Sequence, residues 1–167
     1  MPYHYNAPIP DDELELLERF PHLQDLNLAG CELSVAGVTR LGRLTSLRDL
    51  CLASARPSGS GVTDFNFEFL TTLTQLEGLG LSNVSVSDSA FVNIGRSSQL
   101  TSLLLDRTNV TDDCLEKLKA LTHLKTLLVQ NTRVTVDGLK RFHAALPKCA
   151  IGHSFGRAVS KALSAVN

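Results

Sequence analysis

The groups that could do chemistry in this chain are four cysteines, five histidines and seventeen carboxylates. Their spacing argues against a reaction centre. A nucleophilic cysteine needs a base within hydrogen-bond reach. Cys51 sits at a position that should meet water, and no histidine occupies a neighbouring equivalent position. His22 and His123 are equivalent to each other, each one residue before a recurrent leucine (Leu23, Leu124). They stand four units apart, roughly 19 Å across a sheet of ordinary strand spacing. No His and Cys cluster has the spacing of zinc ligands. Neither G-x-x-x-x-G-K nor G-x-G-x-x-G occurs, and Gly78-Leu79-Gly80-Leu81 reads as strand rather than phosphate loop. The chain is expected to hold no catalytic residue, no cofactor and no metal.

What positions every other residue is a repeat. Leu23, Leu47, Leu76, Leu100 and Leu124 open the same phrase at spacings of 24, 29, 24 and 24 residues. Within it, apolar residues recur at fixed offsets: Leu26 and Leu28, Leu50 and Leu52, Leu79 and Leu81, Leu103 and Leu105, Leu127 and Val129. Five residues later comes Leu33, Val86, Val110 or Val134, and in the long copy Val62. The long copy is thus a 24-residue unit with a five-residue insertion inside Ala53–Gly61, a turn-forming stretch. Alternation over Asp25–Leu28 marks a short strand with Leu26 and Leu28 on one face and Asp25 and Asn27 on the other. Leu115, Leu118 and Leu121, like Leu139, Phe142 and Ala145, have helical spacing. Ser34, Thr63, Ser87, Thr111 and Thr135 precede those helices and are expected to cap them. Asp64, Asp88, Asp112 and Asp113 follow where the helix dipole favours a carboxylate. A strand and a helix per unit predict an α/β solenoid with a parallel sheet on its concave face and helices on its convex face. No unit can bury its leucines alone.

The L-x-x-L-x-L phrases followed three residues on by Cys31, Thr108 or Thr132, with V-T-D at Val62 and Val110 and its echo at Val134–Thr135, resemble the leucine-rich-repeat family. The likeness covers roughly Ile9 to Ile151. A 24-residue unit with Cys or Thr at that place looks like the bacterial and cysteine-containing subtypes. The resemblance implies a horseshoe that binds proteins. It also implies a ladder of hydrogen bonds from Cys31, Thr108 and Thr132 to the backbone of the neighbouring coil. Ser60 falls in that column once the insertion is removed. Val84 departs from it, so the ladder should break at the third unit.

Three segments follow from this pattern. Residues 1–22 read as a half-repeat, with Ile9, Leu14, Leu17 and Phe20 in core columns and a helix over about Asp11–Arg19. Residues 23–146 hold the five repeats. Residues 147–167 should give an edge strand at Cys149–Ile151 and a tail whose Val159, Ala162, Leu163 and Val166 have helical spacing and suit a cap. The opening MPYHYNAPIPDDELELL has prolines and acids where a signal peptide would be apolar, and no stretch suits a membrane span. Four cysteines without close pairing suit a reducing compartment, so a cytoplasmic setting is expected. The net charge of −1 conceals an uneven split: residues 1–84 carry 5 basic and 11 acidic side chains, residues 85–167 carry 11 and 6. Unlike halves could steer a dipolar partner or drive self-association.

Such a solenoid binds with its sheet face. The outward columns read Asp25, Asp49, Gly78, Ser102, Thr126 and Asn27, Cys51, Gly80, Leu104, Leu128. Leu104 and Leu128 should form an apolar shelf about 5 Å across, beside bare backbone at Gly78 and Gly80, rimmed by Asp106, Arg107 and Gln130. An apolar patch facing water is a candidate interaction site. Arg56, in the insertion, is expected at the edge of the same face. The chain reads as a non-catalytic protein-binding module. The alternatives are a substrate-recognition subunit of a larger complex, of a ubiquitin-ligase or bacterial effector kind, and a self-stacking structural unit. The scarcity of Lys and Arg on the strand columns argues against nucleic acid.

Overall fold

A computed structural model describes residues 8–57 and 67–155. Each leucine phrase forms a three-residue strand: β1 (Asp25–Asn27), β3 (Asp49–Cys51), β5 (Gly78–Gly80), β6 (Ser102–Leu104) and β7 (Thr126–Leu128). β8 (Ala150–Gly152) closes one parallel sheet of order β1-β3-β5-β6-β7-β8. The register matches the sequence columns throughout: Leu26, Leu50, Leu79, Leu103, Leu127 and Ile151 stand side by side. The insertion therefore costs the sheet nothing. Alternation turns the middle leucines inward, and Leu50, Leu79, Leu103 and Leu127 are buried. Each such side chain contributes about 1.5–3 kcal/mol of burial. The expected strand at Cys149–Ile151 begins one residue later, because Cys149 is buried where the other coils place Leu100 or Leu124, its N–H donating to Leu146 O as theirs donate to Ser97 and Leu121.

The return segments are less uniform than the spacing predicts. α2 (Val35–Leu41), α4 (Asp112–Leu118) and α5 (Val136–Ala145) are α-helices. The long unit instead has a 3-10 helix at Phe67–Thr72, and the third unit a 3-10 turn at Asp88–Ala90 before the short α3 (Phe91–Ile94). Ser34, Thr111 and Thr135 cap as expected, accepting from the N–H groups of Gly37, Asp113 and Gly138. Ser87 does not cap; its hydroxyl lies 2.8 Å from that of Ser89. Thr63 and Asp64 lie outside the described residues.

At the first end, α1 (Asp11–Leu17) is two residues shorter than expected. Leu14 is buried, but Phe20 is 60% exposed rather than core. Phe20 belongs to the outermost described coil, so a layer covers it on one side only. The tail from residue 156, including the cap expected at Val159–Val166, lies outside the described residues.

The turn column departs from the expected ladder. Thr108 and Thr132 hydroxyls donate to Leu105 O (2.7 Å) and Val129 O (2.8 Å), carbonyls of their own coil. The bond between coils comes one residue earlier. Gly30, Ser54, Asn83, Arg107 and Asn131 all have positive φ, and the first four donate their N–H to Ala53, Ser82, Asp106 and Gln130 carbonyls of the next coil at 2.7–2.8 Å. The left-handed conformation aims the N–H along the solenoid. Val84 leaves nothing broken, since its own N–H donates to Leu81 O at 3.1 Å. The long unit fills this column with buried Ala55, whose N–H bonds Leu52 O. Ser60 lies outside the described residues, and the extra residues come after Ala55.

On the helix side, coils are fastened by carboxylates. The Asp88 carboxylate accepts from the Thr111 N–H (3.0 Å) and hydroxyl (2.7 Å). Asp112 does the same to Thr135, at 2.8 and 2.7 Å. The Ser34 hydroxyl donates to Asp11 at 2.5 Å. Each of these three acids thus holds the residue at the start of the next helix.

Candidate functional site

The outward sheet face is built by the residues that alternate with the buried leucines. A depression of about 320 Å³ opens on it. Asp25, Asn27, Asp49, Cys51, Gly78, Gly80, Ser102 and Leu104 line it, with Leu26, Leu50 and Leu79 also contributing. Of the twelve candidate residues, it gathers Asp25, Asp49, Gly78, Gly80, Ser102 and Leu104. Asn27 and Cys51 join them; both were visible as members of the same columns. Thr126 and Leu128 continue the face on β7, next to Ser102 and Leu104 in register.

The proposed shelf is more sheltered than the columns suggested. Leu104 and Leu128 are half-buried, and the Leu128 side chain overhangs Gly152 on β8. Among the described residues the exposed large apolar side chains are instead Leu16, Phe20, Val35 and Val92, none of them in a sheet strand. Nor is the glycine floor bare. Gly78 and Gly80 are buried. The Asp49 carboxylate lies over Gly78 where a Cβ would collide with it, and the Cys51 thiol is 3.2 Å from the place of a Gly80 Cβ. Glycine on β5 is what lets the side chains of β3 lean across.

The electrostatics of the face are lopsided. Asp25 and Asp49 are exposed and opposite each other in register, about 4.8 Å apart by strand spacing. Neither makes a side-chain hydrogen bond or ion pair with a described residue. Arg48, the cation beside Asp49, is committed to Glu77. From β6 onward the face is uncharged: Ser102, Leu104, Thr126, Leu128, Ala150 and Gly152.

The remaining candidates lie elsewhere. Asp106 accepts the Gln130 N–H at 2.7 Å, and Arg107 is the left-handed residue that donates to Gln130 O, so these three build the turn between coils. Arg107 and Gln130 are exposed at that edge. Arg56 is not at the edge of this face. It opens β4 (Arg56–Pro57), which pairs with β2 (Glu32–Leu33) in a separate two-stranded sheet. The chain has already passed its turn at Ala55, so Arg56 sits on the flank.

Among the described residues no group of three or more His, Cys, Asp or Glu could hold a metal, and no helix is long and apolar enough to cross a membrane. Burial pushes the Cys114 thiol far up and that of Cys149 to about 11. Burial also raises Cys31. In each case burial disfavours the reactive thiolate.

A parallel sheet in constant register, one left-handed turn per coil and a helical return recur in solved structures. The chain matches an internalin from Listeria monocytogenes with a TM-score of 0.68 and 21% identity, over 91% of this chain and 39% of that one. The fold is a leucine-rich-repeat solenoid. A leucine-rich-repeat protein of Leptospira interrogans matches at 0.61 and 22%, over 86% of this chain and 39% of that one. A plant peptide hormone receptor solved in complex with RGF2 matches at 0.56 and 15%, over 89% and 22%. The chain therefore spans about two fifths or less of these leucine-rich-repeat structures. No protein-family model matches the sequence, and no curated protein sequence matches it.

Proposed function

We propose that this chain is a non-catalytic module that binds a polypeptide through the concave face of its sheet. The observation that carries the proposal is the depression on β1, β3, β5 and β6, where two carboxylates without partners share a face with half-buried Leu104. A structural surface has no need of adjacent unpaired acids, which repel each other. The plant receptor matched above is a peptide hormone receptor by name, which supports a peptide or protein as occupant. A reducing compartment is part of the proposal and rests on the unpaired spacing of the cysteines.

The test is photo-crosslinking in the native cell. A benzophenone amino acid at Ser102, on the concave face, should give discrete polypeptide adducts. The same group at Val92, exposed off the sheet, should give none. Equal labelling from both, or none from Ser102, overturns the reading. Adducts only of the chain with itself would favour self-stacking through the unlike charged halves. A monomer by light scattering at both low and high salt removes that alternative.

A further inference from the structure

The first described coil has a flank and a helix, but no described strand lies on the outer side of β1. Its flank is in place: Pro8 pairs with Glu32, and the Ile9 N–H donates to Glu32 O at 3.0 Å. That is the same 24-residue register in which Glu32 meets Arg56. Its helix is in place too, since α1 packs on α2 and Asp11 holds Ser34. We infer that the gap beside β1 is a docking slot for an extended segment of a partner polypeptide. The segment that fits carries the leucine phrase of the repeats, L-x-x-L-x-L, with Lys or Arg as its third residue.

The backbone supplies the edge. Gln24 O accepts from the Arg48 and Asp49 N–H groups, and the Leu28 N–H donates to Cys51 O. Alternation aims the N–H and C=O of Asp25 and Asn27 the other way, where no described strand meets them. An unpaired edge of this kind is a template for one more strand. The side chains supply the floor. Leu47 and Leu50 are at most 1% exposed, whereas Leu23 and Leu26, in the same columns, are only half-buried. Phe20 is 60% exposed, whereas Leu44, in its column, is buried. An added strand in register would turn its fourth and sixth residues inward over this floor, as β1 turns Leu26 and Leu28. Its third residue would stand opposite Asp25, where a cation is favoured. The chain's own sequence does not carry the phrase. Pro2 and His4 stand 24 residues before Leu26 and Leu28, and a proline has no N–H to give to a ladder. The slot rests on the edge and floor of the sheet and does not depend on what the depression binds.

The probe is a blocked peptide, Gly-Leu-Thr-Lys-Leu-Thr-Leu-Gly, titrated to millimolar concentration against the full 167-residue chain. Amide hydrogen exchange of Asp25 and Asn27 is followed by NMR. Both amides should exchange unprotected in the free chain. Saturating peptide should slow them at least about tenfold and leave the Cys51 amide, inside the sheet, unchanged. Moving the last two leucines of the phrase one position along turns them outward, and that peptide should bind at least about tenfold more weakly. Glu in place of Lys should also weaken binding. Asn27→Pro deletes an outward N–H and spares the bonds of Gln24 and Leu28 to the next coil. It should abolish binding, read at the Asp25 amide, with the fold retained. Asn27→Ala loses the same side-chain bond to the Ala29 N–H and should bind normally. Should Asn27→Pro unfold the chain, Phe20→Ser decides, because it weakens binding without touching the edge. Protection of both amides in the free chain, equal binding of the two leucine arrangements, or full binding by Asn27→Pro overturns the inference.

Discussion

Two sets of aspartates face opposite ways in this solenoid, and they behave differently. Asp11, Asp88 and Asp112, at the helix starts, each hold the capping residue of the next coil. Asp25 and Asp49, on the concave sheet, hold nothing among the described residues. One residue type thus serves as a fastening on one face and as open charge on the other. Partnership, rather than charge or exposure, separates scaffold from candidate site.

The largest effect should come from breaking a fastening. Asp112→Ala removes the acceptor of the Thr135 N–H and hydroxyl and the ion-pair partner of Arg141. The expected loss is about 1.5 kcal/mol, read as a drop of roughly 3–6 °C in Tm. A change below half a degree would mean that the fastening is ornamental.

Two glycines sharpen the contrast. A Cβ on Gly138 would collide with the Asp112 carboxylate, and a Cβ on Gly78 with that of Asp49. Asp112 is tethered by three groups and cannot swing away without losing them. Gly138→Ala should therefore destabilise by about 1 kcal/mol, even though alanine is the better helix former. Asp49 is free to move, so Gly78→Ala should leave Tm within about 2 °C. Equal thermal effects of the two substitutions would erase the distinction.

Acid offers a third measure. Burial acts to raise the Asp112 pKa, but the bonds from Thr135 and Arg141 outweigh it, and the net shift is downward. A carboxyl with a lowered folded pKa stabilises the fold above its unfolded value, about 3.9. That contribution disappears as pH falls through the folded value. Urea midpoints taken from pH 6 to pH 2 should converge for wild type and Asp112→Asn at the acid end. A gap that stays constant with pH would assign the effect to packing. The smallest effect is expected for Asp25→Asn and Asp49→Asn, each within about 0.5 kcal/mol of wild type by urea denaturation. A larger loss would show that these acids, too, are scaffold.

The register of the six-stranded sheet was legible from the sequence, down to Ile151 opposite Leu127, although the last strand begins one residue later than expected and the small β2–β4 sheet carried no signal. A period of two within a period of 24 leaves no freedom in register. The turn of the long unit was not, because Ala53–Gly61 offers several small residues for one small-residue column. Ala55 and Ser60 satisfy the same steric demand, and only the backbone bond to Leu52 O decides between them. Arg56 went to the wrong place for the same reason. The fastenings were half legible. Asp88 and Thr111, like Asp112 and Thr135, each look like local helix-start signals. Their repeated separation of 23 residues, one short of the period, was the available clue. The site was legible as columns, but the lean of Asp49 over Gly78 is a rotamer, and no column encodes that.

The same fastenings have a consequence for how this molecule could lengthen. The coil that starts at Leu100 presents a hook at Asp112 and an eye at Thr111, and its neighbours accept both. A tandem duplication of residues 100–123 would therefore dock on itself with no new contact to invent. The product would carry one more leucine rung on its concave face and an unchanged acidic end. Such a chain would be one strand spacing longer, about 4.8 Å, with Asp25 and Asp49 left where they are.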